Sequence, residues 1–261
     1  MFTTDPRFAS RVVDAGAAGI VVDWERRGKR RRQAGADTQI NADTPSDLTA
    51  VRAAVPRARV LCRVNGWGPW SAAEIDLAVD LGADEVLLPM VRRPGDVDAA
   101  VDAVGGRCGL GILVETADAV RAVDDLVRRP VSRLYVGLND LRIDLGGRSL
   151  FTPLVDGTVD RVAGVASDAG VPMGVAGLTV PEGGNPVPCH LLGGALARID
   201  ASFTFLRRSF HADVAGRDVA VEVPRILDAV AVARRRTAER VASDHADLAA
   251  LVGLLSEDEA V

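Results

Sequence analysis

Short apolar runs rich in Val, Leu and Ile recur along the chain, each followed by a stretch in which apolar positions return with helical spacing. The clear runs are Gly19-Ile20-Val21-Val22-Asp23, Val60-Leu61-Cys62-Arg63-Val64, Glu85-Val86-Leu87-Leu88-Pro89, Leu110-Gly111-Ile112-Leu113-Val114, Arg133-Leu134-Tyr135-Val136-Gly137 and Pro172-Met173-Gly174-Val175. Residues 1–4 and Ala201-Ser202-Phe203-Thr204-Phe205 extend the series to eight. Between the runs, helices are predicted over 5–16, 71–81 (with Ser71 as its cap), 94–104, 116–127, 155–169 and 224–242. Strands alternating with helices imply parallel pairing by right-handed crossovers, and strands apolar on both sides imply a sheet covered on both faces. The predicted fold is therefore α/β, a single-domain (β/α)8 TIM barrel over 1–242, followed by a C-terminal helical tail over 243–261. The Gly- and Pro-rich segment 178–188 reads as a loop, and no interdomain linker is evident.

Composition narrows the function classes. The chain has 261 residues, is 48% hydrophobic and 26% charged, and carries a net charge of -5. That excludes collagen-like and disordered classes and disfavours a partner made of nucleic acid or anionic membrane, which needs a basic excess. Cys62, Cys108 and Cys189 are widely spaced and odd in number, so neither a disulfide framework nor a zinc site is expected. The opening residues lack the basic start and apolar core of a signal peptide, and no apolar run approaches the roughly 20 residues of a membrane helix. A cytoplasmic protein is the expectation. Lys29 is the only lysine among 31 basic residues, so any Schiff-base chemistry has to use it, because arginine stays protonated.

In a barrel of this kind, chemistry sits at the C-terminal ends of the strands. The polar residues there are Asp23-Trp24-Glu25, Arg63-Val64-Asn65, Pro89-Met90, Glu115-Thr116 and Asn139-Asp140. Glu115 and Asp140 end adjacent strands. Two close carboxylates repel unless a cation lies between them, and a hard divalent ion held by carboxylates, water and substrate oxygens is one solution. The other is that both simply cap the helices that follow. Arg63 either faces an anion in the barrel mouth or pairs with Asp23 or Glu25. The basic run 26–32 is either an anion grip or a solvated loop. Trp67 and Trp70 form either a pocket wall or an oligomer contact. His190, His211 and His245 have no partners at metal-ligand spacing and read as surface or capping residues.

The order of Ala18-Gly19-Ile20-Val21-Val22-Asp23-Trp24-Glu25, Cys62-Arg63-Val64-Asn65, Gly82-Ala83-Asp84-Glu85-Val86-Leu87-Leu88-Pro89-Met90-Val91, Leu113-Val114-Glu115-Thr116 and the segment 136–146 (VGLNDLRIDLG) resembles the HpcH/HpaI aldolase and citrate lyase beta-subunit family, within the phosphoenolpyruvate/pyruvate barrel superfamily. The resemblance spans roughly residues 5–146. It implies a carbon–carbon lyase or its reverse, dependent on Mg2+ or Mn2+ and acting through an enolate on a 2-oxo acid, a 4-hydroxy-2-oxo acid or an acyl-coenzyme A partner. It implies Glu115 and Asp140 as metal ligands and Arg63 as the enolate-stabilising group; in the mechanism that follows, a general base near Asp23 or Glu25, acting directly or through water, takes the hydroxyl proton. Gly137, Leu138 and Asn139 would receive the substrate carboxylate, with Pro89 nearby, and Lys29 or a neighbouring arginine would grip a distal carboxylate or phosphate. A homo-oligomer, trimer or hexamer, is implied as well. The chain departs from the aldolase branch in lacking a histidine after Asp23, and from the citrate lyase branch in placing Arg26 where an acid stands. Two other functions fit these departures: a repurposed, non-catalytic 2-oxo-acid-binding barrel, and a condensation or thioesterase reaction on the same metal site.

Overall fold

In the computed structural model, which describes residues 1–29, 43–147 and 149–258, seven of the eight expected strands form one parallel half-barrel sheet in sequence order. They are β1 (Gly19–Asp23), β2 (Arg59–Arg63), β3 (Glu85–Leu88), β4 (Gly109–Val114), β5 (Arg133–Val136), β6 (Met173–Leu178) and β7 (Phe203–Leu206). The opening residues form no strand of their own. Phe2 makes a single parallel bridge to Val21, where Val21 N donates to Met1 O at 2.8 Å. The extended stretch is cut short because Asp5 caps the next helix, accepting from Arg7 N and Phe8 N, and Pro6 occupies its first turn.

Most crossovers carry a helix: α1 (Pro6–Asp14), α2 (Pro45–Ala54), α3 (Ser71–Asp80), α4 (Pro94–Val104), α5 (Ala117–Arg121), α6 (Val123–Leu126), α7 (Leu138–Leu145), α8 (Thr158–Asp168) and α9 (Cys189–Arg198). After β7 come α10 (Phe210–Asp213), α11 (Val219–Arg234) and α12 (Ala238–Asp258). The predicted helix over 71–81 is capped at Trp70 instead of Ser71, whose Oγ accepts from Gly68 N at 2.9 Å. The stretch 116–127 divides at Ala122 into α5 and α6, with Thr116 as the N-cap of α5. The helix expected over 155–169 starts at Thr158, after Gly157 at a φ of 90°. The helix expected to open at Pro224 begins earlier, because Asp218 accepts from Ala220 N and caps it; Pro224 then lies inside α11, which ends at Arg234. The C-terminal helix α12 contains residue 243, and the last residues, 259–261, lie outside those described.

Side chains alternate across the sheet. Ile20, Val22, Val60, Cys62, Val86, Leu88, Ile112, Val114, Leu134 and Val136 pack under the helices in the larger core. Val21, Leu61, Leu87, Leu113 and Phe205 meet on the inner face with Phe2, Tyr135 and Phe203. The Phe2 and Phe205 rings, 5.2 Å apart, bring the N-terminal residues against β7. The positions two residues beyond those inner ones stand at the C-terminal rim: Asp23, Arg63, Pro89, Glu115, Gly137 and Arg207. No helix among the described residues is long and apolar enough to cross a membrane, and Cys62, Cys108 and Cys189 are all free thiols.

Candidate active site

The register of β1 on β2 sets Asp23 directly opposite Arg63. Arg63 Nε donates to Asp23 Oδ1 at 2.8 Å and Nη2 to Asp23 Oδ2 at 2.7 Å, a two-pronged bond between a half-buried guanidinium and a buried carboxylate. Lys29 Nζ lies 3.2 Å from Asp23 Oδ2 and 3.3 Å from Glu25 Oε2, and Arg63 Nε lies 3.5 Å from the same Glu25 oxygen. Burial works against the Asp23 charge, but Arg63 and then Lys29 outweigh it and hold this carboxyl down at about 2. The Arg63 guanidinium stays charged despite its own burial because Asp23, Glu25 and Glu115 surround it, and it stacks over the Phe2 ring at 5.1 Å. The strand-pair reading of Arg63 is therefore realised. Lys29, expected to reach a distal anion, is only 3% exposed, and its ammonium is engaged by two carboxylates. That placement also argues against its acting as a Schiff-base nucleophile.

Asn65 fixes the turn that carries Glu25. Its Oδ1 accepts from both Arg26 N and Arg27 N at 2.8 Å, and its Nδ2 donates to Trp24 O at 3.2 Å and to Glu74 Oε1 at 2.5 Å. Glu74 Oε2 in turn accepts from Asn65 N at 2.9 Å.

Glu115 follows β4, and Asp140 lies in the first turn of α7, just after β5. β4 and β5 are neighbours, with Val114 paired to Val136, so Glu115 and Gly137 come side by side. A Cβ on Gly137 would overlap Glu115 Oε2 and stand 2.9 Å from Glu115 Cβ, so the glycine makes room for the carboxylate. Met90 N donates to Glu115 Oε1 at 2.9 Å, and Met90 adopts a φ of 55° to do so, a left-handed conformation unusual for a side-chain-bearing residue. Burial raises the Glu115 carboxyl to about 8, with the charges of Glu25 and Asp140 adding to the rise. Capping is not what holds this pair: Thr116 caps α5, Gly137 caps α7, and Asp140 is buried within the helix. Tyr135 donates to Ala176 O at 2.5 Å, and burial pushes its phenol well above the usual tyrosine range.

These groups border a cavity of about 290 Å3 at the C-terminal rim. Of the residues singled out in the sequence, Asp23, Lys29, Arg63, Glu115, Gly137, Leu138, Asn139 and Asp140 line it. Pro89 does not: it is buried at the end of β3, and the backbone of Met90 takes its place beside Glu115. Glu25 reaches the site through Lys29 and Arg63 instead of through the cavity wall. Neither Trp67 nor Trp70 forms the wall; the Trp70 ring carries the Arg27 guanidinium at 4.3 Å. In the basic run 26–32, residues from 30 onward lie outside those described. His190 and His211 are exposed, and His211 packs on Phe8. Sequence reasoning missed Phe2, Tyr135 and Arg207, which also line the cavity. Inner-face parity carried through β5 and β7 picks out Tyr135 and Arg207. A larger cavity of about 440 Å3 opens at the opposite end of the sheet, between β7, β1 and α11, away from Glu115 and Asp140. No group of three or more His, Cys, Asp or Glu side chains among the described residues is placed to hold a metal, so a cation at this site has two carboxylates to draw on.

The model of the HpcH/HpaI aldolase/citrate lyase family matches residues 2–173 of this chain. A 90-residue stretch is 32% identical to a (3S)-malyl-CoA thioesterase of Cereibacter sphaeroides, covering 34% of this chain and 31% of that protein. The counterpart from a second strain is 31% identical over the same length. The match thus spans less than a third of those relatives. Among solved structures, an HpcH/HpaI aldolase from Desulfitobacterium hafniense DCB-2 superposes with a TM-score of 0.60 at 16% identity, over 90% of this chain and 91% of that one. The citrate synthase SbnG gives 0.62 at 17% identity over 83% and 89%, and RipC from Yersinia pestis gives 0.56 at 16% identity over 87% and 93%. At such identities the likeness is one of fold.

Proposed function

The chain belongs to the HpcH/HpaI aldolase/citrate lyase family, and from that premise we propose that it is a divalent-metal-dependent carbon–carbon lyase, built on a closed (β/α)8 barrel, that cleaves or forms a bond beside the carbonyl of a 2-oxo acid. The observation that carries this reading is the meeting of Glu115 and Asp140 on one cavity, with Glu115 raised to about 8. Burial and the charges of Glu25 and Asp140 outweigh Arg63 at this carboxyl, and two carboxylates flanking a cavity are the donor set a hard divalent cation takes, leaving its other positions to water and substrate oxygens. Bound there, Mg2+ or Mn2+ would supply Lewis-acid polarisation of the substrate's oxygens.

The chain's own residues supply the rest. Arg63 lines the cavity, and its Nη1 makes no hydrogen bond among the described residues, which suits the guanidinium to negative charge growing on the 2-oxo oxygen. Asp23, held at about 2, is a poor proton acceptor at neutral pH, so its part is to fix the plane of Arg63. Glu25 is left as the acid of this cluster that takes the substrate hydroxyl proton, through a water. The amide N–H groups of Leu138 and Asn139, in the first turn of α7, suit the substrate carboxylate.

The test is pyruvate release from a panel of 4-hydroxy-2-oxo acids, with and without chelator, alongside calorimetric titration of Mg2+ and Mn2+. Chelator should abolish turnover and Mg2+ restore it, while Glu115→Gln and Asp140→Asn should each lose metal binding. Turnover that persists in chelator refutes the proposal. The thioesterase match favours a second reading, hydrolysis of a malyl-CoA-type thioester at the same site; thiol release without carbon–carbon cleavage would select it. Oxalate binding with Mg2+, but no turnover of either kind, would select a binding barrel instead.

A further inference from the structure

Arg207 stands on the inner parity of β7, two residues beyond Phe205, at the level of Asp23, Arg63 and Glu115. It is half-buried and lines the same cavity. Its backbone N donates to Leu178 O at 2.8 Å. Gly177 lets the strands close there, since a Cβ on that glycine would stand 2.8 Å from Arg207 Cβ. One edge of its guanidinium is tied: Nε donates to Ser209 Oγ at 2.8 Å, and Ser209 Oγ donates to Asp213 Oδ2 at 3.0 Å, a carboxylate that also accepts from Thr179 Oγ1. The terminal nitrogens of Arg207 make no hydrogen bond or carboxylate ion pair among the described residues. Its neighbours differ: Arg63 and Lys29 are both committed to Asp23 and Glu25.

An oriented guanidinium without an acidic partner, on the wall of a substrate cavity, is arranged to receive an anion in two-pronged fashion. Given the 2-oxo-acid reading above, on which this rests, we infer that Arg207 binds a second carboxylate of the substrate, and that the substrate class is a short 2-oxo dicarboxylate or the adduct that yields one. The cavity of about 290 Å3 fits this size. Arg207 thereby takes the distal grip that Lys29, locked in its ion pairs, does not provide.

The experiment is calorimetric titration of the full chain with Mg2+ present, using pyruvate as the monoacid and oxaloacetate and 2-oxoglutarate as diacids. Wild type should bind one of the diacids at least about tenfold more tightly than pyruvate. Arg207→Met should weaken that diacid about 10- to 100-fold while leaving pyruvate within about twofold. Arg207→Lys should recover part of the loss. Ser209→Ala, which frees the guanidinium and drops the bond to Asp213, should lose a smaller factor in the same direction, and it keeps the test decisive should Arg207→Met fold poorly. Pyruvate and diacid weakened alike, or neither weakened, overturns the inference. Wild type that binds pyruvate without preferring a diacid overturns it and leaves the 2-oxo-acid reading standing. Failure to bind any of the three overturns both.

Discussion

Replacing Arg63 by Met probes the cluster at its centre. Asp23 is fully buried and takes two hydrogen bonds from Arg63, at 2.8 and 2.7 Å, with Lys29 a further cation at 3.2 Å. Removing one partner of a buried pair leaves the other charge uncompensated, which costs about 3–5 kcal/mol. At about 2–4 °C per kcal/mol for a chain of this size, Arg63→Met should melt roughly 6–20 °C below wild type. Asp23→Asn should also destabilise, but the double variant should be less destabilised than the two losses added together, with a coupling of about 2 kcal/mol or more. The pH dependence gives a second handle. The folded-state value of Asp23 is depressed to about 2 from 3.8, so its contribution is present above pH 3.8 and is lost as the pH falls through 2. That shift is worth about 2 kcal/mol, so urea midpoints of wild type should drop over this window, and those of Asp23→Asn should drop less. Urea and thermal unfolding of the four proteins between pH 2 and 7 measure all of this. A single-variant loss below about 1 kcal/mol, or strict additivity in the cycle, would refute the reasoning.

Gly137→Ala should drive a methyl group into Glu115, lowering stability by about 1–3 kcal/mol and weakening Mg2+ binding at least about tenfold, both accessible to calorimetry. Asn65→Ala should strand the N–H groups of Arg26 and Arg27 and cost about 2–4 kcal/mol in urea unfolding, whereas a loss under 1 kcal/mol would mean that this turn holds without it. Trp70→Ala, which removes the platform under Arg27 and the Nε1 bond to Gly66 O, should cost about 1–2 kcal/mol and leave turnover unchanged.

Much of the sheet was legible because its strands are covered on both faces and read as unbroken apolar runs; every run from Gly19 onward became a strand. The candidate site was legible for a related reason: a polar residue closing such a run, like Asp23 or Glu115, has nowhere to point except the rim or the helices. The helix starts were harder to place. Pro224 looks like a first-turn residue, but the Asp218 side chain supplied the cap instead, and Ser71 was passed over because its hydroxyl found Gly68 N. The role of Lys29 was misjudged because its two carboxylate partners, Asp23 and Glu25, lie close in sequence on a turn whose shape depends on Asn65, about 40 residues away. Arg207 escaped notice because it follows a run broken by Ser202 and Thr204, where apolar periodicity is faint; the pairing of β7 with β6 fixes the parity that turns it inward.

Met90 puts a bulky residue where the backbone prefers glycine, and it is the N–H of this residue that grips Glu115. Relaxing it by Met90→Gly would be an easy step toward heat resistance, worth about 1 kcal/mol. The same step would loosen the backbone behind the acid on which the proposed reaction depends. Directed evolution for thermal tolerance alone should therefore drift toward sturdier, slower molecules at this position, and a screen that also demands turnover should keep the tension in place.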